Sequence, residues 1–460
     1  MTVKALMPVR NVNLVVPLPH EGTAMRNTET AGHAQARPAA VDPLSHVRPA
    51  DVDSTNRRRT QTLATPGTRT STTATRTTTT SRTKVESEPS ADSPPFTFKQ
   101  LVVAYLDCRR HKRNSPSALA FEAHLERNLC ELHAELLAGA YRPGRSICFV
   151  VTRPKAREVW AADFRDRVVH HLLYNQVAPR FHAGFIANSC ACIPGRGTLY
   201  AARRLEHDVR GVSANWSRPA WYLKCDLANF FVAIDKHVLH RQLATRIHEP
   251  WWLRLADTIL FHDPRDGVDM RCPPRLLHLV PPHKSLFNAP ENMGLPIGNL
   301  SSQFFANVHL DALDQHCKHQ LQARRYVRYV DDFILLHEST DWLNQAHADI
   351  EAWLPATLGA RLNPMKTILQ PVDRGVDFVG HIIKPWHRTT RARTVSTALH
   401  RIEHLAEAEV YRTANSYFGL LRQATHSHGD RARLANALRK RGYCINGQLT
   451  QTYRTTKGQA

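Results

Sequence analysis

The sequence predicts an α+β fold: an antiparallel sheet that gathers carboxylates at one end, helices behind it, and a helical C-terminal region. Three observations carry this. Two largely apolar runs, Tyr326 to Val330 and Phe333 to Leu336, flank Asp331-Asp332, which reads as a tight hairpin with both carboxylates at its tip. A β-rich run upstream, Trp221 to Asp226, ends in a third carboxylate. Segments with apolar residues at helical spacing precede and follow both.

Residues 1–95 read as a disordered Thr/Pro/Arg-rich arm. Between Thr60 and Thr83, 13 of 24 positions are Thr, so few apolar side chains are available to offset chain entropy. The apolar patch Leu14 to Leu18 is shorter than a usual signal core and contains Pro17, so secretion is not expected. From Phe96 the texture changes. Phe98 to Leu106 and Leu119 to Leu137 have helical spacing, Ile147 to Val151 reads as a strand, and Pro154 to Val159 reads as a second strand with basic residues protruding. Phe164 to Ala178 is a helix with one apolar face. The segment from Asp257 to Asn292 carries six prolines and little periodicity, so it is expected as a surface loop over the sheet. Gly294 to Gln303 opens a helix from Phe304 to Cys317, with Asn299, Ser301 and Ser302 as cap candidates. Gly298 permits close approach of the backbone to a planar ligand. Lys384 to Arg388 and Arg391 to Arg393 form a basic run with one aromatic, fit for a nucleic-acid backbone or a solvated linker. Leu399 to Leu405, Tyr417 to Ala424 and Ala432 to Leu438 read as three helices.

Lys and Arg exceed Asp and Glu by 61 − 40 = 21, with a pI near 10.0. The first 95 residues hold 12 basic and 8 acidic side chains, so most of the surplus lies in the body. Such a charge favours polyanionic partners. No apolar run is long enough to span a bilayer, so no membrane partner is expected. Nine scattered cysteines without a Cys-x-x-Cys pair fit reduced thiols in a cytoplasmic protein rather than a zinc ribbon or disulfide framework. The 27 histidines include His170-His171 and His426-x-His428, with no Cys or carboxylate at zinc-ligand spacing in the sequence, and they read as ordinary core or surface residues.

Adjacent carboxylates at a buried edge repel each other and stay ionised cheaply only if a hard cation joins them. Carboxylate oxygens suit Mg²⁺. A Tyr-x-Asp-Asp string alone arises by chance in roughly one chain in thirty of this length, so its neighbours must carry the reading. They occur in a fixed order: Asp226 with Leu227 to Phe231, then Gly294 to Gln303, the hairpin, Leu362 to Thr367, and Asp377 to Gly380.

With these blocks in this order, Phe96 to Tyr443 resembles a bacterial reverse transcriptase. Within that family it is most similar to the enzymes of diversity-generating retroelements. Ile297-Gly298-Asn299-Leu300-Ser301-Ser302-Gln303 carries that distinction, because intron and retroviral enzymes typically have Gln before the glycine. Asn188 to Cys192 and Gly195 to Thr198 resemble the subgroup's fingers block, with Arg196 where Lys is more usual. The resemblance implies a right-hand polymerase: N-terminal helices and fingers over 96–215, a palm with an antiparallel sheet over 216–383, and a helical thumb and tail over 384–460.

It further implies an RNA-directed DNA polymerase that copies a template RNA, with errors, into cDNA. Asp226, Asp331 and Asp332 would hold two Mg²⁺ ions, with Mn²⁺ as substitute, and the Leu227 carbonyl would be an extra ligand. Lys366 would protonate pyrophosphate, with Met365 where Lys is more usual. Lys155 and Arg157 would clamp the triphosphate, their alternative being solvated strand charges. Phe231 would stand under the nucleotide sugar, its alternative being a core phenylalanine pair. Ile297, Gly298, Gln303 and Tyr329 would line the substrate. The implied partners are template RNA, primer, dNTPs and a basic accessory protein of the retroelement. Two other readings remain: a reverse transcriptase of another bacterial class, such as anti-phage defence, and a non-catalytic nucleic-acid-binding protein on the same fold.

Overall fold

The computed structural model describes residues 94–110, 115–153 and 155–453, so the arm expected over residues 1–95 lies almost wholly outside the described residues. Thr97 and Gln100 form a reciprocal capping box at the start of α1 (Phe98–Arg109). The single helix expected over Leu119 to Leu137 is two, α2 (Pro116–Glu122) and α3 (Leu125–Leu137), with Asn128 Nδ2 donating to Phe121 O across the break (2.8 Å). They pack with α1 on α4 (Phe164–Gly184) through Leu101, Tyr105, Leu132 and Phe164. α4 continues past Ala178 because its apolar face does, through Phe181.

β1 (Ile147–Val151) and β2 (Arg157–Ala161) pair antiparallel. There follow α5 (Thr198–Val212), β3 (Trp221–Asp226), a short α6 (Phe230–Ala233), α7 (Lys236–Ala244) and α8 (Pro250–Phe261). The proline-rich segment is not a surface loop over the central sheet. β4 (Asp269–Met270) adds in parallel to β1, with Asp269 N–H donating to Ser146 O and Arg271 N–H to Cys148 O, both 2.8 Å. After α9 (Pro274–Leu277), Leu286 and Ala289 close over Cys148 and Trp160. Prolines lack the N–H donor, so this segment builds no ladder of its own and completes the edge of another sheet.

The glycine-rich block leads into α10 (Leu300–Gln315), which starts four residues before the expected Phe304. Then come β5 (Tyr326–Tyr329), β6 (Asp332–His337), α11 (Thr340–Leu358) and β7 (Ile368–Pro371). The central sheet has the order β5-β6-β3-β7, every neighbour antiparallel. Both of its faces are covered. Leu223, Cys225, Tyr326, Phe333 and Leu335 enter a core with α4, α7, α10 and α11. Tyr222, Val327, Ile334 and Leu336 enter a second core with Leu205 and Val209 of α5 and with Phe378 and Ile383. Alternation within each strand therefore feeds two cores, which is why the runs read as continuously apolar.

β8 (Val376–Phe378), β9 (His381–Lys384) and β10 (His387–Thr390) form an antiparallel sheet. The basic run is thus a hairpin and not a linker. Arg388 is buried, pairs with Glu206 and donates to Gln423 O (2.6 Å), and Arg391 pairs with Asp377. α12 (Ala392–His404), α13 (Glu407–Leu421) and α14 (His428–Lys440) enclose their own core of Ile402, Phe418, Leu434 and Leu438. The hairpin β11 (Cys444–Ile445) and β12 (Thr452–Tyr453) ends the described chain. The chain adopts the predicted α+β arrangement of antiparallel sheet, helices and C-terminal helical bundle. Among the described residues, no helix is long and apolar enough to cross a membrane.

Candidate active site

Asp226, the last residue of β3, lies directly opposite Asp332, the first residue of β6. Asp331 sits in the two-residue loop between Tyr329 and Asp332, which are themselves paired. The three carboxylates therefore share one end of the sheet. The Leu227 N–H donates to the Asp331 carbonyl (3.2 Å), which stitches the end of β3 to the hairpin tip. Val330, the first loop residue, has φ +56°. Two-residue loops with that sign normally place glycine there, so a β-branched side chain marks a strained turn.

Like charges facing each other across a ladder are destabilising, and two ammonium groups offset them here. Lys366 Nζ lies 2.6 Å from Asp226 Oδ1. Lys224 Nζ lies 3.1 Å from Asp332 Oδ2 and donates to Asp377 O (2.9 Å), which ties β8 to the acidic end. Burial pushes the Asp332 carboxyl up to about 6, with Lys224 opposing and the other two aspartates adding to the rise. Burial also raises Asp331, reinforced by Asp226 and opposed by Lys366 and Arg157. Both shifts have one sign: the folded chain holds these protons more tightly than the unfolded chain does. Ionising Asp332 as pH rises through about 6 therefore costs stability that a bound cation would restore.

The donor set fits a hard divalent cation. Asp332 Oδ1 is buried without a hydrogen-bond partner, and the cluster offers only oxygens. Among the described residues no three His, Cys, Asp or Glu side chains close around one point. An open set of carboxylates suits Mg²⁺, which keeps waters and takes substrate phosphates.

The remaining predicted residues surround this end or connect to it. Lys155 and Arg157 are exposed at the tip of the β1–β2 hairpin, and Arg157 is close enough to act on Asp331. Half-buried Phe231 stands in α6, its carbonyl accepting from Leu295 N–H (2.7 Å). Tyr329 is half-buried against the second core. Gln303 is half-buried in the first turn of α10, and Leu227 is buried. At Gly298 the glycine block approaches the backbone of β2 closely. The Ile297 carbonyl accepts from Trp160 N–H (2.7 Å), and a Cβ on Gly298 (φ +135°) would lie 2.5 Å from Trp160 O. Of the cap candidates, Asn299 is the N-cap residue of α10, but its side chain makes no capping bond. Asn299 Oδ1 accepts from Ala162 N–H (3.0 Å), while Ser301 and Ser302 are buried within α10. The block is a clip between α6 and β2.

Lys224 was missed by the sequence reading. Its signal was alternation: residues 222, 224 and 226 share one face of β3, so a cation two residues before a carboxylate had to lie beside it.

The family model for reverse transcriptase (RNA-dependent DNA polymerase) matches residues 153–383, half of the chain. Among solved structures the chain is similar to telomerase from Candida albicans in complex with a fragment of telomeric RNA, at 13% identity over 65% of this chain and 55% of that one, with a TM-score of 0.39. It is also similar to apo telomerase from Candida tropicalis, at 12% identity over 65% and 57%, with a TM-score of 0.41. The chain spans a little over half the length of these telomerases. No curated protein matches the sequence.

Proposed function

We propose, from the premise that this chain belongs to the reverse transcriptase (RNA-dependent DNA polymerase) family, that it copies a template RNA into error-bearing cDNA as the polymerase of a diversity-generating retroelement. RNA-directed DNA synthesis comes with the family. The observation that supports this particular site is the meeting of Asp226, Asp331 and Asp332 at one end of the central sheet.

Two Mg²⁺ ions, with Mn²⁺ as substitute, would supply activation of the primer 3′-hydroxyl and neutralisation of the leaving pyrophosphate. Asp226 and Asp331 would hold them, with the Leu227 carbonyl and Asp332 completing the set. Lys224 keeps Asp332 oriented and limits the net charge of the cluster. Lys155 and Arg157 would grip the triphosphate from the exposed hairpin tip. Lys366, whose Nζ lies beside Asp226, would protonate the departing pyrophosphate. Phe231 would bar a 2′-hydroxyl, with Tyr329, Gly298 and Gln303 bounding the nucleotide. Nine free thiols fit a cytoplasmic setting.

The retroelement role rests on Ile297. Its side chain is half-exposed beside β2, where Gln would offer polar contacts and Ile offers only apolar ones. Contacts of this kind are worth on the order of 1–3 kcal/mol, or roughly tenfold to a hundredfold in selectivity. Ile297→Gln is expected to lower misincorporation, most clearly opposite template adenine, with synthesis retained. Sequencing cDNA made by both enzymes on one template checks this, and equal error spectra would remove the support for diversification.

A further inference from the structure

Arg328 and its partner Asp314 are both fully buried. A guanidinium has five N–H donors in a rigid fork, and here all five are used. Nε and Nη2 grip the two oxygens of Asp314, each at 2.6 Å. Nη2 also donates to Ser189 Oγ (2.9 Å). Nη1 donates to Asn307 Oδ1 (3.3 Å) and to the Val330 carbonyl (3.1 Å). Tyr326 Oη donates to Asp314 Oδ1 (2.7 Å). Main-chain bonds add to this: Arg328 N–H to Asn188 O and Cys190 N–H to Arg328 O, both 3.0 Å. Three segments distant in sequence meet at one side chain: the loop at 188–190, helix α10 and the acidic hairpin.

A buried ion pair is a weak stabiliser, because desolvation offsets much of its attraction. The Val330 carbonyl gives this pair another use. Val330 holds a left-handed φ that its branched side chain disfavours. Such a conformation persists only where its surroundings over-determine it. The Nη1 bond falls on the peptide that joins Val330 to Asp331, and the tilt of that peptide sets the direction of Asp331.

We propose that Arg328, held by Asp314, is a positioning residue that fixes the Val330–Asp331 peptide and so aims the Asp331 carboxylate, without touching substrate. This rests on the role proposed above for Asp331. It also makes the aim of that carboxylate depend on α10, whose first turn follows the block clipped to β2.

Arg328→Lys keeps the charge and loses the fork. Arg328→Met with Asp314→Leu removes the pair and leaves no unpaired charge. Val330→Gly makes the left-handed turn cheap. Single-nucleotide incorporation, primer–template Kd and thermal unfolding are measured for each, beside wild type and Asp331→Ala. Arg328→Lys and the double variant should fold and bind primer–template within about twofold of wild type. Their kcat should fall about tenfold or more, with KM for dNTP little changed, as for a loss confined to the transition state. In the Val330→Gly background, Arg328→Lys should cost distinctly less. Equal losses in both backgrounds would overturn the proposal, as would wild-type kcat in the folded double variant. Two variants that both fail to fold would overturn it too, by making the network structural. Wild type and Asp331→Ala extending primers equally would overturn the reading of Asp331 itself, whatever Arg328 does.

Discussion

At Gly298 the absence of a Cβ is what lets the glycine block touch β2. An alanine there would carry a disfavoured positive φ, worth about 1–2 kcal/mol, and would place its Cβ against the Trp160 carbonyl. Trp160 N–H and Ala162 N–H would then lose their partners, Ile297 O and Asn299 Oδ1. Gly298→Ala is therefore expected to destabilise the protein by about 2 kcal/mol and to raise KM for dNTP, because Arg157 lies on the same strand. Denaturant unfolding and steady-state extension would check both, and an unchanged midpoint with unchanged KM would mean the clip is dispensable. Residue identities at this scale were legible where the chemistry was local. Asp226, Asp331 and Asp332 end or join apolar runs, so their convergence could be read from the chain. The partner of Gly298 could not, because a close approach between residues 160 and 298 leaves no mark in either local pattern. Arg328 was invisible for a related reason: a basic residue in a strand reads as solvent-facing until three remote segments are seen to enclose it.

Elements with one period along their length were legible. β3, β5 and β6 alternate into two cores, and three C-terminal helices form as expected, although α13 (Glu407–Leu421) begins ten residues before Tyr417 and stops short of Ala424. Elements defined by what they pack against were misread. β4 is two residues long and exists because β1 has a free edge, so neither propensity nor periodicity can announce it. The hairpin of β9 and β10 looked like a linker because its basic side chains dominate its composition. Arg388 and Arg391 spend their charge on Glu206 and Asp377 instead. The same pairings fix the C-terminal helices against the sheet, since Arg388 also reaches Gln423 O just beyond α13. The break between α2 and α3 interrupts no apolar pattern, and spacing alone ran the two together.

For the whole molecule, the net charge of +21 predicts affinity for nucleic acid that falls steeply with salt. The first 95 residues supply a surplus of only 12 − 8 = 4, and their composition offers little to a packed core. Deleting residues 2–90 should leave primer extension and its salt dependence nearly unchanged, and loss of folded enzyme on truncation would show that the arm belongs to the core. Asp226, Asp331 and Asp332 together are proposed to form the metal-holding site of an RNA-copying polymerase. The most direct test is primer extension on an RNA template with Mg²⁺, comparing wild type with Asp226→Asn and with the Asp331→Ala/Asp332→Ala double variant, with folding and RNA binding measured in parallel. Both variants should fold and bind RNA, while synthesis falls by about a thousandfold or more, equivalent to roughly 4 kcal/mol of barrier. Synthesis near the wild-type rate in either folded variant would contradict this assignment.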